Sequence, residues 1–126
     1  MSPEIVSQAV TAYFAAIRAM DQQAWLNTFA TDAISYDPVG APAMIGHQKL
    51  AEFFQNITAA FKEVGLTEDK VFIAGDGAAV KWTGSGISQG GKKVHFEGID
   101  VFAVNEAGKI QTLHAYWSPA EMMAQL

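Results

Sequence analysis

The chain has 126 residues, of which 13 are Asp or Glu and 8 are Lys or Arg, and half of its residues are hydrophobic. This length predicts a single domain over residues 1–126, large enough to bury a core without disulfides or metals. The net charge of -5 argues against nucleic acid as a partner, because such binding requires clustered Lys and Arg. The chain has no Cys, which excludes disulfides, thiolate metal sites and Cys nucleophiles.

The N-terminus and the hydropathy pattern predict a cytoplasmic protein that does not contact a membrane. Residues 1–6 lack the basic region and the uninterrupted apolar region of a signal peptide. No apolar run approaches the ~20 residues that a membrane span needs. The absence of Cys suits a reducing compartment.

Three helices are predicted in the first half of the chain from apolar residues at helical spacing. Ser2 and Pro3 are typical of a helix start, and the inward stripe of this first helix is Val6, Val10, Tyr13, Ile17 and Met20. Asp21 can cap a short second helix that ends at residues 31–32, with an apolar face of Trp25, Leu26, Phe29 and Ala30. Gly46 is expected to begin the longest helix, which stops at Gly65; its apolar face is Leu50, Phe53, Phe54, Ile57, Phe61 and Val64.

The rest of the chain is predicted to form strands. Residues 33–36 are extended and lead into a turn sequence, Asp37-Pro38-Val39-Gly40. From residue 66 onward, alternating segments are separated by Gly, Asn and Asp residues that suit hairpin turns. The predicted strands are 71–74, 78–88, 94–104 and 110–117. Helices followed by an antiparallel meander indicate an α+β fold, with the helices on one face of a curved sheet.

Local motifs of several other chemistries are missing. The Gly-x-Gly sequences at 75–77 and 84–86 complete no phosphate-binding loop and begin no helix. The three histidines, His47, His95 and His114, have no metal-ligand spacing, so no metal site is predicted. No Gly-x-Ser-x-Gly sequence supports a serine nucleophile.

Asp100 is an acidic residue on an otherwise apolar strand face. Period-two alternation places it on the same side as Phe96 and Phe102. Burial there favours the neutral acid, which would make Asp100 a hydrogen-bond donor at neutral pH. A bulge at this position, or backbone N–H groups that satisfy the carboxylate, would explain the same pattern without a function.

Asp37 and Tyr13 complete a set of residues suited to proton abstraction beside a carbonyl. Asp37 follows an apolar strand and could carry its carboxylate over the sheet, although Asp is also common at the first position of a turn. Tyr13 lies on the buried stripe of a helix, where a Tyr usually belongs to the core. Taken together, Asp37 would be the base, and Tyr13 and a protonated Asp100 would donate to the oxygen on which enolate charge develops.

The sequence resembles the ketosteroid isomerases, within the nuclear transport factor 2-like and SnoaL-like superfamily. The resemblance covers nearly the whole chain and is carried by residues 12–17, 29–33, 37–40, 53–56, 98–102 and 107–110. It implies that Asp37 is the general base and that Tyr13 and neutral Asp100 form the oxyanion hole, a mechanism for which ketosteroid isomerase is the standard example. It also implies a cone of three helices on a curved, mostly antiparallel sheet, a homodimer, and no cofactor or metal.

Some positions depart from the pattern of the isomerases. Phe54 stands where the family commonly has a second Tyr behind the oxyanion-hole Tyr. Gly84 and Gly86 replace bulkier strand residues, so either the cavity is wider or the strand bends more sharply. Trp82 and Trp117 would form apolar walls for a flat polycyclic ligand, or would simply belong to the core. With Phe54, they are the predicted substrate-binding residues.

The predicted function is a cofactor-independent isomerase that moves a double bond from the β,γ to the α,β position of a ketosteroid-like enone. Its partner would be a small, hydrophobic, steroid-like carbonyl substrate. A polyketide-cyclase-like or dehydratase-like enzyme of the same fold is a second hypothesis, since an Asp base would act there too. A third is a non-catalytic module for a hydrophobic ligand, although such a pocket gains nothing from burying two unpaired acids.

Overall fold

The structure, a computed structural model, describes residues 1–126 and contains four helices and six strands. The helices are α1 (Pro3–Arg18), α2 (Gln22–Leu26), α3 (Gly46–Thr58) and α4 (Pro119–Met123). The strands are β1 (Phe29–Tyr36), β2 (Met44–Ile45), β3 (Phe61–Ala74), β4 (Gly77–Ser88), β5 (Lys93–Val104) and β6 (Ile110–Tyr116). No helix combines the length and the hydrophobicity required to cross a membrane.

All six strands form one sheet, in the order β2-β1-β6-β5-β4-β3. Strands β3 to β6 each pair antiparallel with the next strand in sequence, which confirms the predicted meander. Strand β1 lies antiparallel to β2 and parallel to β6. The parallel pair brings the carboxyl ends of β1 and β6 to the same edge of the sheet.

Helix α1 packs most of its predicted apolar stripe against the sheet, but the helix ends at Arg18, so Met20 is not part of it. The Ser2 hydroxyl accepts a hydrogen bond from the Ile5 N–H at 3.4 Å, and Pro3 occupies the first helical position. The buried residues of the helix are Val6, Ala9, Val10, Tyr13, Phe14 and Ala16. They share one hydrophobic core with residues of the sheet such as Val80 and Phe102. The α+β prediction is therefore confirmed.

The second helix is shorter than predicted. Helix α2 ends before Phe29 and Ala30, which belong to β1 rather than to a helical face. The Thr28 hydroxyl donates to the Trp25 carbonyl at 2.7 Å, and the Thr28 carbonyl accepts from the Ile110 N–H of β6 at 2.8 Å. Pairing with a strand more than eighty residues away thus replaces further helical hydrogen bonds.

The third helix also ends earlier than predicted, and it is not the longest. Helix α3 stops at Thr58 and has 13 residues, against 16 in α1. Phe61, Val64 and Gly65 belong to β3, so the strand predicted at 71–74 is only the end of a longer one. An irregularity of the ladder between Phe61 and Glu63 places buried residues three apart, which imitates helical spacing.

Candidate active site

A cavity opens between the helices and the inner face of the sheet. Its space amounts to about 560 Å³ when the open solvent at its mouth is included. Eleven of its fourteen lining residues are hydrophobic. The lining includes all six residues proposed for the site from the sequence: Tyr13, Asp37, Phe54, Trp82, Asp100 and Trp117.

Asp37 and Trp117 meet where the parallel strands β1 and β6 end. Asp37 directly follows β1, and Trp117 directly follows β6. The Trp117 indole N–H donates to the Asp37 carboxylate, with an Nε1 to Oδ1 distance of 2.5 Å. A backbone hydrogen bond of 2.8 Å from the Val39 N–H to the Ala115 carbonyl fixes the turn against β6. Asp37 is therefore a turn residue whose carboxylate also lines the cavity.

The protonation of Asp37 is set by its surroundings. Burial raises the pKa of the Asp37 carboxyl from 3.8 to about 6, and the hydrogen bond from Trp117 partly opposes that rise. Loss of hydration disfavours the charged form, whereas a donor to the carboxylate favours it. At neutral pH Asp37 is thus ionised and more basic than a surface Asp, which suits a general base.

Asp100 lies on the inner face of β5. It is opposite Val80 of β4 and Ala115 of β6, and it is 2% exposed. The β4–β5 register is regular through this position, so a bulge does not explain the buried acid. Its Oδ2 has no hydrogen-bond partner. The carboxyl group is therefore available to a ligand.

The surroundings of Asp100 favour its neutral form. Burial raises the pKa of the Asp100 carboxyl well above its usual 3.8, and the nearby charge of Asp37 raises it further. The indole of Trp82 has a smaller, opposite effect on this pKa. A protonated carboxyl carries one O–H donor, so Asp37 and Asp100 are equipped for opposite roles, one as a base and one as a donor.

Tyr13 reaches the cavity from α1 and is 3% exposed. Its ring packs edge-on against Phe14 and Phe102, with ring centroids 5.0 Å away in each case. Burial raises the pKa of the Tyr13 hydroxyl well above 10, and a negative charge on Asp100 or Asp37 raises it further. The hydroxyl therefore stays protonated and can donate to an oxygen in the cavity.

Trp82, Phe96 and Trp117 form an aromatic wall of the cavity. The ring centroids of Phe96 lie 5.7 Å from those of both Trp82 and Trp117, which are 6.2 Å from each other. Gly98 makes this packing possible: a Cβ there would lie 2.6 Å from the Trp82 ring and 2.8 Å from the Trp117 Cβ. The two tryptophans therefore belong both to the packed interior and to the cavity surface.

The glycines of β4 do not widen the cavity. A Cβ on Gly84 would lie 2.7 Å from the Phe96 ring and 2.9 Å from the Leu66 Cδ2. A Cβ on Gly86 would lie 2.5 Å from the backbone oxygen of Glu63. Both glycines allow neighbouring groups to approach β4 closely, and those groups fill the space that larger residues would take.

Trp25 and Phe96 also line the cavity, although neither was among the site residues predicted from the sequence. The apolar pattern of α2 predicts burial of Trp25 but carries no information about which cavity its ring enters. Phe96 could have been found, because strand alternation places it on the same face as Asp100.

Known proteins provide an independent assignment of the family. Residues 10–113 match the SnoaL-like domain. The chain is also 30% identical over 124 residues to a Steroid Delta-isomerase of Nocardioides simplex, an alignment that covers 98% of this chain and 97% of that protein. The chain belongs to the SnoaL-like family. This confirms the resemblance found in the sequence.

Solved structures share the fold of this SnoaL-like domain. RV0760c from Mycobacterium tuberculosis superposes with a TM-score of 0.83 at 22% identity, over 96% of each chain. Its complex with estradiol-17beta-hemisuccinate gives a TM-score of 0.82 at 23% identity, over 93% of this chain and 96% of that chain. A computationally designed 17-OHP binder gives 0.81 at 23% identity, over 93% and 95%. At identities of 22% and 23%, the similarity to these structures shows a shared fold and nothing more.

Proposed function

We propose that this SnoaL-like protein is a cytoplasmic, cofactor-independent isomerase that moves a double bond from the β,γ to the α,β position of a ketosteroid-like enone. The observation that carries the proposal is the presence of Tyr13, Asp37 and Asp100 around one apolar cavity. The relative from Nocardioides simplex, a Steroid Delta-isomerase, supports this reaction. The binding of estradiol-17beta-hemisuccinate by RV0760c supports a steroid-like ligand.

In the proposed mechanism, the Asp37 carboxylate removes a proton from the carbon between the ketone and the double bond. The electrons of the broken C–H bond move toward the ketone oxygen, and a dienolate forms. Tyr13 and protonated Asp100 donate hydrogen bonds to this oxygen as its charge develops. Protonated Asp37 then returns the proton to the γ carbon, which gives the conjugated enone with no net change in atoms.

The two acids favour catalysis over simple binding of a ligand. Burying an acid without a partner costs free energy. Asp100, which is 2% exposed and has no partner for its Oδ2, would therefore bring no gain to a pocket for an apolar molecule. Asp37 and Asp100 also differ in the protonation that their surroundings favour, the arrangement of base and acid for which ketosteroid isomerase is itself the reference case. A cyclase-like or dehydratase-like reaction would use the same base on a different substrate.

The proposal is tested by mixing the purified protein with a β,γ-unsaturated ketosteroid and following ultraviolet absorbance. We expect the absorbance of the conjugated enone to grow at a rate proportional to the protein concentration. Absence of turnover in a protein that still binds a phenol would contradict the isomerase and favour the cyclase-like alternative.

The rate is expected to depend on pH through Asp37. Because only the ionised carboxylate can accept the proton and burial raises its pKa to about 6, kcat/KM should fall about tenfold per pH unit below that value and level off above it. The measurement is kcat/KM across the acidic and neutral range, with circular dichroism at each pH to verify folding. A flat profile through this range would contradict the role of Asp37.

The Trp117→Phe variant tests whether Asp37 sets the midpoint of the pH profile of kcat/KM. It removes the indole N–H that donates to Asp37 at 2.5 Å and keeps an aromatic ring. Since that bond favours the carboxylate, its loss is expected to move the midpoint of the pH profile upward. A midpoint that moves downward would contradict the assignment of the profile to Asp37.

We also propose that the chain forms a homodimer through the outer face of its sheet. Ile99 and Tyr116 are opposite each other in the β5–β6 ladder, next to Val101, and all three are exposed, as is Phe72 of β3. Contiguous apolar patches of this kind mark interaction surfaces. Light scattering of the purified protein is expected to give twice the mass of the chain, and a monomeric mass would contradict the proposal.

A further inference from the structure

The three tryptophans of the chain all line the cavity. Trp117 donates its indole N–H to Asp37. The indole nitrogens of Trp25 and Trp82 are also buried, but they have no hydrogen-bond partner. These two donors are not explained by the proposed roles of Asp37, Tyr13 and Asp100.

Two such donors in one cavity require an explanation. An indole nitrogen can only donate, and a buried donor without an acceptor destabilises a fold. Native proteins leave few such groups, and a Phe would fill a similar aromatic space without that cost. Because Trp25 and Trp82 are each 2% exposed, water at the surface does not supply the acceptor. The polar groups that line the same cavity, among them Tyr13 and Asp100, are the candidate acceptors.

Trp25 lies beside Tyr13. Its ring centroid is 6.0 Å from that of Tyr13 and 5.0 Å from that of Phe54. Phe54 has no hydroxyl with which to bind Tyr13, so Trp25 is the aromatic neighbour here that carries a donor. The indole N–H of Trp25 also has a lowering effect on the pKa of the Tyr13 hydroxyl, against the larger effect of burial.

Trp82 lies beside Asp100, as Trp25 lies beside Tyr13. In the β4–β5 ladder Asp100 is opposite Val80, and Trp82 is opposite Gly98. Trp82 is therefore the diagonal neighbour of Asp100 on the same inner face, within reach of a long side chain. The Trp82 Nε1 and the Asp100 Oδ2 both lack partners, and the indole N–H lowers the pKa of the Asp100 carboxyl.

We propose that Trp25 and Trp82 are positioning residues, whose indole N–H groups donate to the Tyr13 hydroxyl oxygen and to the Asp100 carboxyl while those two groups donate to the substrate oxygen. This inference rests on the proposed isomerase function. Linked hydrogen bonds strengthen one another, and bonds at catalytic groups often tighten only when a ligand is bound. Because the benefit grows as charge moves onto the substrate oxygen, it lowers the energy of the transition state more than that of bound substrate.

The variants Trp25→Phe and Trp82→Phe remove the N–H and keep an aromatic ring. Each is expected to lower kcat about 5- to 30-fold, with KM within about twofold of the wild-type value. Phe29→Leu is the packing control, because Phe29 contacts Trp25 with a centroid distance of 4.8 Å and carries no donor. It is expected to lower the melting temperature with a smaller loss of kcat than Trp25→Phe.

Ionisation of a bound phenol distinguishes positioning from packing. The oxygen of 2-naphthol would occupy the place of the dienolate oxygen, and its ultraviolet spectrum gives the ratio of ionised to neutral phenol. Both Trp variants are expected to lower this ratio about 5- to 30-fold, because the two donors then stabilise the oxyanion less. Phe29→Leu is expected to leave the ratio unchanged. An unchanged ratio in both Trp variants would overturn the inference.

The wild-type protein provides a test that does not depend on the folding of variants. With ¹⁵N-labelled tryptophan, each indole N–H gives its own NMR signal, and 2-naphthol is expected to shift the proton signals of Trp25 and Trp82 downfield. If these signals stay in place in a protein that isomerises the steroid, the inference is overturned and the proposed function stands. A wild-type protein that neither isomerises the steroid nor ionises the phenol would overturn the proposed function itself.

Discussion

The Asp37→Asn variant is expected to isomerise a β,γ-unsaturated ketosteroid about 10²- to 10⁴-fold more slowly in kcat than the wild-type protein. The amide has nearly the shape of the carboxylate, and its oxygen can still accept the hydrogen bond from Trp117. It has no basic oxygen that could remove the proton. The loss should therefore appear in kcat of the ultraviolet assay, with little change in KM.

Asp76→Asn is the matched control for this substitution. Asp76 lies in the exposed turn between β3 and β4 and does not line the cavity. The same change from carboxylate to amide at this position is expected to leave kcat at the wild-type value. If Asp37→Asn were no slower than Asp76→Asn, Asp37 would not be the base.

Loss of activity in Asp37→Asn should not be a loss of folding. Because burial raises the pKa of Asp37 from 3.8 to about 6, the folded chain binds this proton more tightly than the unfolded chain. This tighter binding of the proton stabilises the folded chain. The stabilisation is fully present below the unfolded pKa of about 3.9 and is lost as the pH rises through the pKa of Asp37 in the folded chain. At a pH above about 7 the variant should therefore exceed the wild type in free energy of unfolding by about 1–3 kcal/mol.

Urea denaturation at two pH values checks this expectation. The difference between Asp37→Asn and the wild type should be present at slightly alkaline pH and should vanish near the unfolded pKa of about 4. A variant that is less stable than the wild type at alkaline pH would contradict the conclusion that burial of Asp37 costs stability.

Two replacements of Asp100 are expected to show whether catalysis needs its hydrogen-bond donor or its acidic group. Asp100→Leu should lower kcat about 10²- to 10³-fold, as removal of one oxyanion donor does elsewhere. Asp100→Asn should cost only about tenfold or less, because its amide N–H can still donate to the substrate oxygen. The Leu side chain has a similar volume and no polar atom, so it should fit a position that is 2% exposed without unfolding the chain.

The measurement that tests the role of Asp100 is the comparison of kcat between the two variants. Both are compared in the ultraviolet assay, and circular dichroism verifies that each is folded. Equal losses in Asp100→Leu and Asp100→Asn would contradict the assignment of Asp100 as a hydrogen-bond donor. A faster Asp100→Asn supports it.

The limits of sequence patterns appear most clearly at two element boundaries. The apolar spacing of α2 continues to Phe29. The backbone of Phe29 nevertheless belongs to a strand, because it pairs with Ile110 of β6. Phe61 and Val64 have helical spacing, yet they pair with Ser88 and Gly86 of β4. In both cases hydrogen bonds to a remote strand override the local helical pattern. The prediction missed this because a window of neighbouring residues contains no information about that strand.

The sequence by itself determined the fold class and the meander of β3 to β6, and it indicated which residues are candidates for the site. An acid on an apolar strand face, such as Asp100, is visible in the alternation of residues because each strand position has a defined face. Only the tertiary structure decided which of these groups meet. The parallel pairing of β1 with β6 brings Asp37 to Trp117, 80 residues away, and the packing of α2 against α1 brings Trp25 to Tyr13. Such contacts depend on the pairing of remote strands and the packing of helices, which periodicity along the chain does not encode.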